Sequence, residues 1–297
     1  MENKEKNRYN MGEIACLICR SDIVIFFTKK NNYNIYRCQE CGLIFVWPIP
    51  KNTGGLYSKD YFKGAALGYG YVDYEKDKAA MKKTFNVYLD KVEKILPTKG
   101  RLLDVGSALG SFLQLASRRG WQVSGVEISD YAAKHTRDCG LDVICGTTKD
   151  LLSKSGFFDA LTYLDVFEHL SDPKAELAAA HQLLKSGGLL IINTPDTNSV
   201  FSLILGKNWH LLTPPEHLFV FNRNNLTKML ESCGFEILSV CHIGKKFTLQ
   251  YIIQTLYNWQ KIFIWRWLTE IFKNNFLGRI SLPVNLRDNM FIIAKKV

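Results

Sequence analysis

Glycines and acids fall where the sequence predicts a turn from strand to helix. Residues 102–113 run Leu-Leu-Asp-Val-Gly-Ser-Ala-Leu-Gly-Ser-Phe-Leu, so Asp104 lies in an apolar strand and Gly106 and Gly110 follow it. Glycine has no Cβ, so the backbone of such a turn can approach a ligand closely. Glu127 ends the next predicted strand, where a carboxylate can accept hydrogen bonds from two ribose hydroxyls. The sequence therefore predicts a nucleoside pocket at the carboxyl edge of a parallel sheet.

The spacing of the turn indicates which kind of nucleoside the pocket would take. A dinucleotide fingerprint has three glycines in the order G-x-G-x-x-G, whereas Ala108 stands here between two glycines. Two acids at neighbouring strand ends disfavour a polyphosphate and suit a cationic ligand. We therefore predict a positively charged nucleoside without a phosphate. Taken alone, the turn is equally compatible with a simple strand-to-helix connection.

Several segments, taken in order, resemble the class I S-adenosylmethionine (SAM)-dependent methyltransferases. Beside the glycine turn, residues 158–170 are similar to the fourth strand of that family and the loop after it. Residues 184–193 resemble the turn into the fifth strand, and residues 229–235 resemble the helix before the sixth. The resemblance covers residues 91–297. It implies SAM as the methyl donor.

The resemblance also implies roles for particular residues. Those expected to contact SAM are Asp104, Gly106 and Gly110 on the methionine and ribose side, Glu127 on the ribose hydroxyls, Ile128 and Thr147 near the adenine, and Asp165 on the sulfonium side. Most relatives have glycine at the position of Ala108. The methyl group of Ala108 is expected to crowd the methionine part of the donor.

Methyl transfer to a hydroxyl group needs a residue that takes the proton of the acceptor. Three histidines follow predicted strand ends, at positions 169, 210 and 217. We rank His217 first as the catalytic base, because prolines precede it and an apolar run follows it, which should hold its backbone near the cleft. His169 ranks second. For each of the three, a histidine that only caps or packs is the alternative.

Four cysteines form two C-x-x-C pairs, separated by eighteen residues: Cys16, Cys19, Cys38 and Cys41. This spacing is typical of a zinc ribbon with four thiolate ligands. A zinc ion with four sulfur ligands has no open position, so its predicted role is structural. A redox pair is the competing interpretation.

Composition and charge narrow the class of protein. The chain has 297 residues, 47% of them hydrophobic, and a net charge of +10. Residues 245–297 hold nine Lys or Arg against two acids, which suits an anionic substrate, a membrane surface or nucleic acid. The polar start of the sequence lacks an apolar signal segment, so we expect a cytoplasmic protein with reduced cysteines. The cysteines at 139, 145, 233 and 241 are predicted to be ordinary core thiols.

The elements that must position these residues alternate between strands and helices from residue 102 onward. This predicts an α/β fold, a Rossmann-like doubly wound sheet of seven strands. The resemblance implies that the last strand is antiparallel. The predicted domains are a zinc ribbon at 12–50, a flap and lead-in helix at 51–90, and the methyltransferase domain at 91–297. The Gly- and Tyr-rich stretch before Tyr74 is interpreted as a flap over the cofactor, or else as a plain linker.

A helical insertion is predicted at about residues 247–280, between the last two strands. It contains Trp259, Trp265 and Trp267, and its charged residues argue against a membrane-spanning helix. One interpretation is a helical pair that packs on the domain or on a second subunit in a homodimer. The other is that tryptophans and basic residues rest on the inner membrane surface or bind a lipid-linked substrate.

These features predict transfer of a methyl group from SAM to a small-molecule, sugar or lipid-linked acceptor, through a hydroxyl group or a carbon. An RNA methyltransferase is a competitor, although residues 1–50 are hardly basic, with seven Lys or Arg and five acids. Two further alternatives are a catalytically silent scaffold, in which Ala108 has spoiled the pocket, and a zinc-dependent binding module.

Overall fold

A computed structural model of the chain describes residues 14–51, 54–63, 74–272 and 275–297. The strands are β1 (Val24–Lys30), β2 (Tyr33–Cys38), β3 (Ile44–Val46), β4 (Arg101–Val105), β5 (Gln122–Glu127), β6 (Val143–Cys145), β7 (Phe158–Leu164), β8 (Leu184–Pro195), β9 (Phe219–Val220), β10 (Phe235–Cys241), β11 (Lys245–Thr248), β12 (Ser281–Val284) and β13 (Asn289–Lys296). The helices are α1 (Lys59–Lys63), α2 (Tyr74–Ile95), α3 (Ser111–Arg118), α4 (Asp130–Asp138), α5 (Pro173–Leu183), α6 (Val200–Leu205), α7 (Arg223–Ser232), α8 (Leu249–Gln260) and α9 (Phe263–Phe272).

The central sheet has seven strands in the order β10-β13-β8-β7-β4-β5-β6. Strands β6, β5, β4, β7 and β8 run parallel, and β13 lies antiparallel to both β8 and β10. Because these strands are parallel, the carboxyl ends of β4, β5 and β7 lie at one edge of the sheet, and the return of the chain after β6 places β7 beside β4. The predicted fold class is confirmed, including the antiparallel last strand.

Apolar runs explain why these segments form the middle of the sheet. Strands β4, β7 and β8 are buried over most of their length, as expected for strands covered by helices on both faces. Short polar residues start the covering helices: the Ser129 side chain accepts from the backbone of Ala132, and the Asp172 side chain accepts from that of Ala175. The capping residues thus fix where each helix leaves the functional edge of the sheet.

The N-terminal ribbon is joined to the large domain through a shared sheet. Its strands β1, β2 and β3 continue into β9, which belongs to the C-terminal part of the chain. The rings of Phe45 and Phe219 stack across this junction with centroids 6.5 Å apart. The side-chain amides of Asn222 and Asn225 both donate to the carbonyl of Cys41. Displacing the ribbon would therefore disturb the segment that leads into β9.

The residues between β10 and β13 contain the helices α8 and α9, bracketed by the antiparallel pair β11 and β12. Large apolar side chains on α9 and around it are exposed: Ile262, Phe263, Ile264, Trp267, Ile271, Phe276, Leu277 and Ile280. Among the described residues, no helix combines the length and apolarity needed to cross a membrane.

The proposed flap falls largely on residues 64–73, outside the described residues, while the helix predicted from Glu75 is α2. The prediction of core thiols is wrong for Cys139, which is exposed, while the cysteines at 145, 233 and 241 are half-buried and pack against the core. Cys139 directly follows α4 as its C-cap, a surface position that residue type alone does not reveal.

Candidate active site

The glycine turn between β4 and α3 is tightly enclosed. Gly106 and Gly110 have φ angles of 71° and 77°, in the left-handed region that side chains rarely adopt. A Cβ on Gly106 would lie 2.6 Å from a methyl group of Val166. A Cβ on Gly110 would lie 2.5 Å from the methyl group of Thr136. These two positions therefore require glycine for the turn itself.

Ala108 adopts the left-handed region as well, with a φ angle of 48°. Its backbone N–H donates to Glu127 Oε2 at 2.8 Å, and its carbonyl accepts from Thr136 Oγ1 at 2.9 Å. Its side chain belongs to a small buried cluster with Phe62 and Leu109. Backbone hydrogen bonds on both sides thus hold a non-glycine residue in a strained conformation.

Glu127 lies at the end of β5, and its carboxylate is fixed by two backbone donors. Besides the bond from Ala108, its Oε1 atom accepts from the backbone N–H of Ser129 at 2.8 Å. Burial raises the pKa of Glu127, while these backbone hydrogen bonds lower it in part. A carboxylate offers about four lone-pair sites, so Glu127 can accept from a further donor. Ile128 follows with 48% of its surface exposed, which leaves an apolar side chain beside the carboxylate.

The other predicted SAM contacts have different surroundings. Asp104 is buried and accepts from Thr162 Oγ1 at 2.5 Å. Asp165, with a φ angle of 60°, accepts from the Asn193 amide at 2.5 Å and lines a large cavity. Thr147 is exposed and caps the turn after β6, with its backbone N–H 2.8 Å from Asp150. Its side chain is also hydrogen-bonded to Asp150, at 3.1 Å.

A cavity of about 890 Å³ opens beside Asp165. Its walls come from distant parts of the chain, among them the β1–β2 turn, the segment after β7, the segment before β9, the insertion, and the connection between β12 and β13. All three candidate histidines, at 169, 210 and 217, line it. The cavity therefore extends from the carboxyl edge of the sheet to both additions to the domain, the ribbon and the insertion.

His169 and His217 lie against each other, with ring centroids 4.9 Å apart. His217 Nδ1 is 2.6 Å from the carbonyl oxygen of Leu211, which can only accept, so Nδ1 carries the proton. In the neutral ring, Nε2 then keeps its lone pair. Burial holds the pKa of His169 well below its usual value, and the nearby His217 lowers it further. His169 is therefore neutral in the ordinary pH range.

Tyr57 is a site residue that the sequence analysis missed. Its hydroxyl group lies 2.7 Å from His169 Nδ1. Burial raises the pKa of Tyr57, and the acids Glu216 and Glu168 raise it further, so the hydroxyl keeps its proton. On its other side, His169 Nε2 faces a carboxylate oxygen of Glu168 at 3.8 Å. This arrangement favours the tautomer in which Tyr57 donates to Nδ1 and the proton of His169 resides on Nε2.

The third histidine has a different environment. His210 Nε2 faces Asp288 Oδ2 at 3.6 Å, and its ring contacts Trp259 of the insertion. Burial lowers the pKa of His210, while the neighbouring Asp288 raises it in part. His210 thus has different partners from those of the Tyr57–His169–His217 group.

The four ribbon cysteines fit a zinc ion. Their sulfur atoms lie within 4.8 Å of one another, and two of the pairs are 3.5 Å apart. Tetrahedral zinc, with bonds of about 2.3 Å, places its sulfur ligands about 3.8 Å apart. A hydrogen bond from Cys41 lowers the pKa of Cys16 to about 5, and the same bond raises the pKa of Cys41. A bound zinc ion would deprotonate the four thiols and offset the charge of the thiolates.

A second group of described side chains also has the spacing of metal ligands: Glu168, His169 and His217, with one atom of each within 4.8 Å of the others. Glu168 is buried, and its Oε2 atom accepts from Thr194 Oγ1 at 2.8 Å. The same arrangement therefore admits two kinds of chemistry: proton transfer through a histidine, or polarisation of a hydroxyl group by a divalent cation.

Comparisons with known proteins concern the large domain. A family described as a methyltransferase domain matches residues 79–240. The ubiquinone biosynthesis O-methyltransferase of Dinoroseobacter shibae is 32% identical over 153 residues, which is 47% of this chain and 62% of that protein. The protein of the same name from Saccharophagus degradans is 28% identical over 52% of this chain and 70% of that protein. The match thus spans about two thirds of these relatives, and the family match begins after the ribbon.

Solved structures share the fold at low sequence identity. A SAM-dependent methyltransferase from Archaeoglobus fulgidus is 20% identical, with a TM-score of 0.50 over 72% of this chain and 94% of that chain. A structure solved for the conversion of a disulfide bond into a thioacetal group during echinomycin biosynthesis has a TM-score of 0.54 at 15% identity. It covers 80% of this chain and 90% of that chain.

Proposed function

The chain belongs to the methyltransferase domain family, and from that premise we propose that it transfers a methyl group from SAM to a hydroxyl group of a small-molecule acceptor. The observation that carries the proposal is the cavity that joins Asp165, at the carboxyl edge of the sheet, to His169 and His217. The relatives named O-methyltransferases support a hydroxyl acceptor.

In this proposal the glycine turn and Glu127 hold the methyl donor. SAM supplies an electrophilic methyl group on a sulfonium, and displacement of that group needs alignment with the acceptor and exclusion of water. The Glu127 carboxylate would accept from the ribose hydroxyls. Ile128 would contact the adenine, and the carboxylate of Asp165 would face the sulfonium side.

His217 is the proposed catalytic base. Its Nδ1 atom is occupied by the Leu211 carbonyl, so Nε2 is the atom that receives the proton of the acceptor hydroxyl. Tyr57 hydrogen-bonds to Nδ1 of His169, and the Glu168 carboxylate faces Nε2 at 3.8 Å, so we assign His169 the role of positioning the His217 ring. This order matches the sequence-based ranking of the two histidines.

Replacing His217 by alanine is expected to lower turnover about 100-fold or more, while the affinity for SAM stays within about two-fold. Loss of the proton acceptor affects the chemical step and leaves the Glu127 pocket intact. The measurement is single-turnover transfer of a labelled methyl group, with catechol as a first acceptor and a panel of phenols and sugars after it.

The matched control for that experiment is His181→Ala, because His181 lies on α5 and does not line the cavity. Full turnover by the His217 variant would remove this residue from the catalytic role. Loss of turnover on treatment with EDTA, restored by Mg²⁺, would favour a divalent cation held by Glu168, His169 and His217 over simple proton transfer.

The ribbon is proposed to bind a structural zinc ion through its four cysteines. A separate proposal concerns α9: its exposed face rests on an anionic membrane surface. Phe263 and Phe276 are 77% and 79% exposed, and the charged residues around them are mostly basic. Interfacial segments combine exposed aromatic side chains with Lys and Arg in this way. The competing occupant of this face is a second copy of the chain.

Vesicle sedimentation tests the membrane contact. The full-length protein is expected to bind vesicles that contain phosphatidylglycerol, and a Phe263→Ser, Trp267→Ser double variant should bind at least about 10-fold more weakly, because two large apolar groups no longer leave water. Phe26→Ser, which changes an exposed phenylalanine of the ribbon, is the control and should bind like the native chain. A protein that stays wholly in solution, or a dimer that buries α9, would contradict the membrane contact.

A further inference from the structure

The cavity carries cationic side chains that methyl transfer does not require. They are Lys30 from the end of β1, Lys261 from the turn between α8 and α9, and Arg287 from the connection between β12 and β13. Each comes from a different segment, yet all three line the same space. The cavity acids Asp165, Glu168 and Glu216 belong instead to the segments that carry His169 and His217.

Lys30 is the most informative of the three cations. Its ammonium group donates to the carbonyl oxygen of Trp209 at 3.0 Å, and among the described residues it forms no ion pair. Burial lowers the pKa of Lys30, because its charged form is partly removed from water. A half-buried ammonium without a counter-ion is costly, and an anion bound in the cavity would offset that cost.

The surroundings of Lys30 define one side of the cavity, which we call the His210 side. The Lys30 ammonium group donates to the carbonyl oxygen of Trp209, the residue before His210, and the His210 ring contacts Trp259. The acid on this side, Asp288, already faces His210 at 3.6 Å. Lys261 and Arg287 are exposed, so they stand where the cavity meets solvent. Asp288 thus faces His210, and among the described residues no carboxylate forms an ion pair with Lys30.

We propose that the His210 side binds a phosphate or diphosphate group of the methyl acceptor, with Lys30 as the main contact. This inference rests on the proposed function and specifies its substrate class, a phosphate ester that also carries the hydroxyl group to be methylated. Trp259 and Tyr251 line the same cavity and offer aromatic faces for a sugar or an aromatic ring of the acceptor. The ribbon and the insertion thus supply the acceptor site, while the sheet supplies the donor site.

Binding of uridine diphosphate to the full zinc-loaded chain, measured by calorimetry, tests the proposal for a soluble source of phosphate. A parallel arm uses vesicles of phosphatidylcholine with and without phosphatidic acid, which represent a lipid-linked source, and it uses the Phe263→Ser, Trp267→Ser variant so that α9 does not contribute to binding. We expect binding in one of the two arms, weakened by salt as for any ammonium–phosphate contact. Binding in neither arm would overturn the proposal.

Lys30→Met keeps the length of the side chain and removes its charge, so it should weaken the observed binding about 10-fold or more. Lys29→Met is the matched control, because Lys29 precedes it on the same strand, is exposed and does not line the cavity. Lys30→Arg should restore most of the affinity. Unchanged affinity in Lys30→Met, or an equal loss in Lys29→Met, would show that Lys30 is not the contact.

Binding of S-adenosylhomocysteine, the demethylated donor, separates this proposal from the proposed function. If the Lys30→Met variant binds S-adenosylhomocysteine normally but no longer binds uridine diphosphate, only the acceptor site has changed, as the proposal requires. A native chain that binds uridine diphosphate but not S-adenosylhomocysteine would retain the phosphate site and contradict methyl transfer.

Discussion

Replacement of Glu127 by alanine is expected to weaken SAM binding about 100-fold. Each hydrogen bond to a charged group contributes about 1.5 kcal/mol or more, and two ribose hydroxyls would donate to this carboxylate. The variant also loses the acceptor that holds the backbone N–H of Ala108, so the strained turn loosens. Equilibrium dialysis with labelled SAM measures the change.

The control for Glu127 is Asp142→Ala. Asp142 precedes β6 and bonds to Ser124 on the surface, away from the carboxyl edge. The Asp142→Ala variant should bind SAM with the affinity of the native chain. The isosteric Glu127→Gln variant should fall between the two, because it keeps the shape and loses the negative charge. Native affinity in Glu127→Ala would exclude this carboxylate as the ribose contact.

Replacement of Cys38 by serine is expected to abolish turnover as well as zinc binding, although Cys38 lies outside the cavity. Cys38 bonds through its backbone to Leu43, just before β3, and β3 pairs with β9. Leu218, next to β9, donates through its backbone N–H to the carbonyl oxygen of Glu168 at 2.8 Å. Loss of the metal therefore releases the segment that holds His217 against His169.

The expected change in stability is large, because a structural zinc site contributes several kcal/mol to folding. For a chain of this size, that corresponds to a fall in melting temperature on the order of 10 °C. Zinc content, melting temperature and turnover are measured on the same sample. Cys139→Ser, at an exposed thiol outside the cluster, is the matched control and should leave all three unchanged. Full turnover by a zinc-free Cys38 variant would uncouple the ribbon from the site.

The central sheet could be predicted from the sequence because its strands have strong local signals. Continuous apolar runs mark β4, β7 and β8, and the glycine turn marks the functional edge. The antiparallel position of β13 was available only from the resemblance, because strand order depends on contacts between residues far apart in the chain.

The missed features depend on contacts between distant residues. Strand β9 has two residues, too few to show alternation, yet it joins the ribbon to the large domain. Tyr57 lies in a segment without clear periodicity, and its partner His169 is 112 residues away. The insertion could be predicted as helical, but its contribution to the cavity could not, because Trp259 reaches His210 only in the folded chain.

A crystal structure with S-adenosylhomocysteine tests the central claim most directly, because it shows which residues hold the donor. We predict that both ribose hydroxyls lie within hydrogen-bonding distance of the Glu127 carboxylate, with the adenine against Ile128 and the sulfur directed toward Asp165 and the cavity. A ligand bound elsewhere, or with its sulfur directed away from His217, would contradict the account.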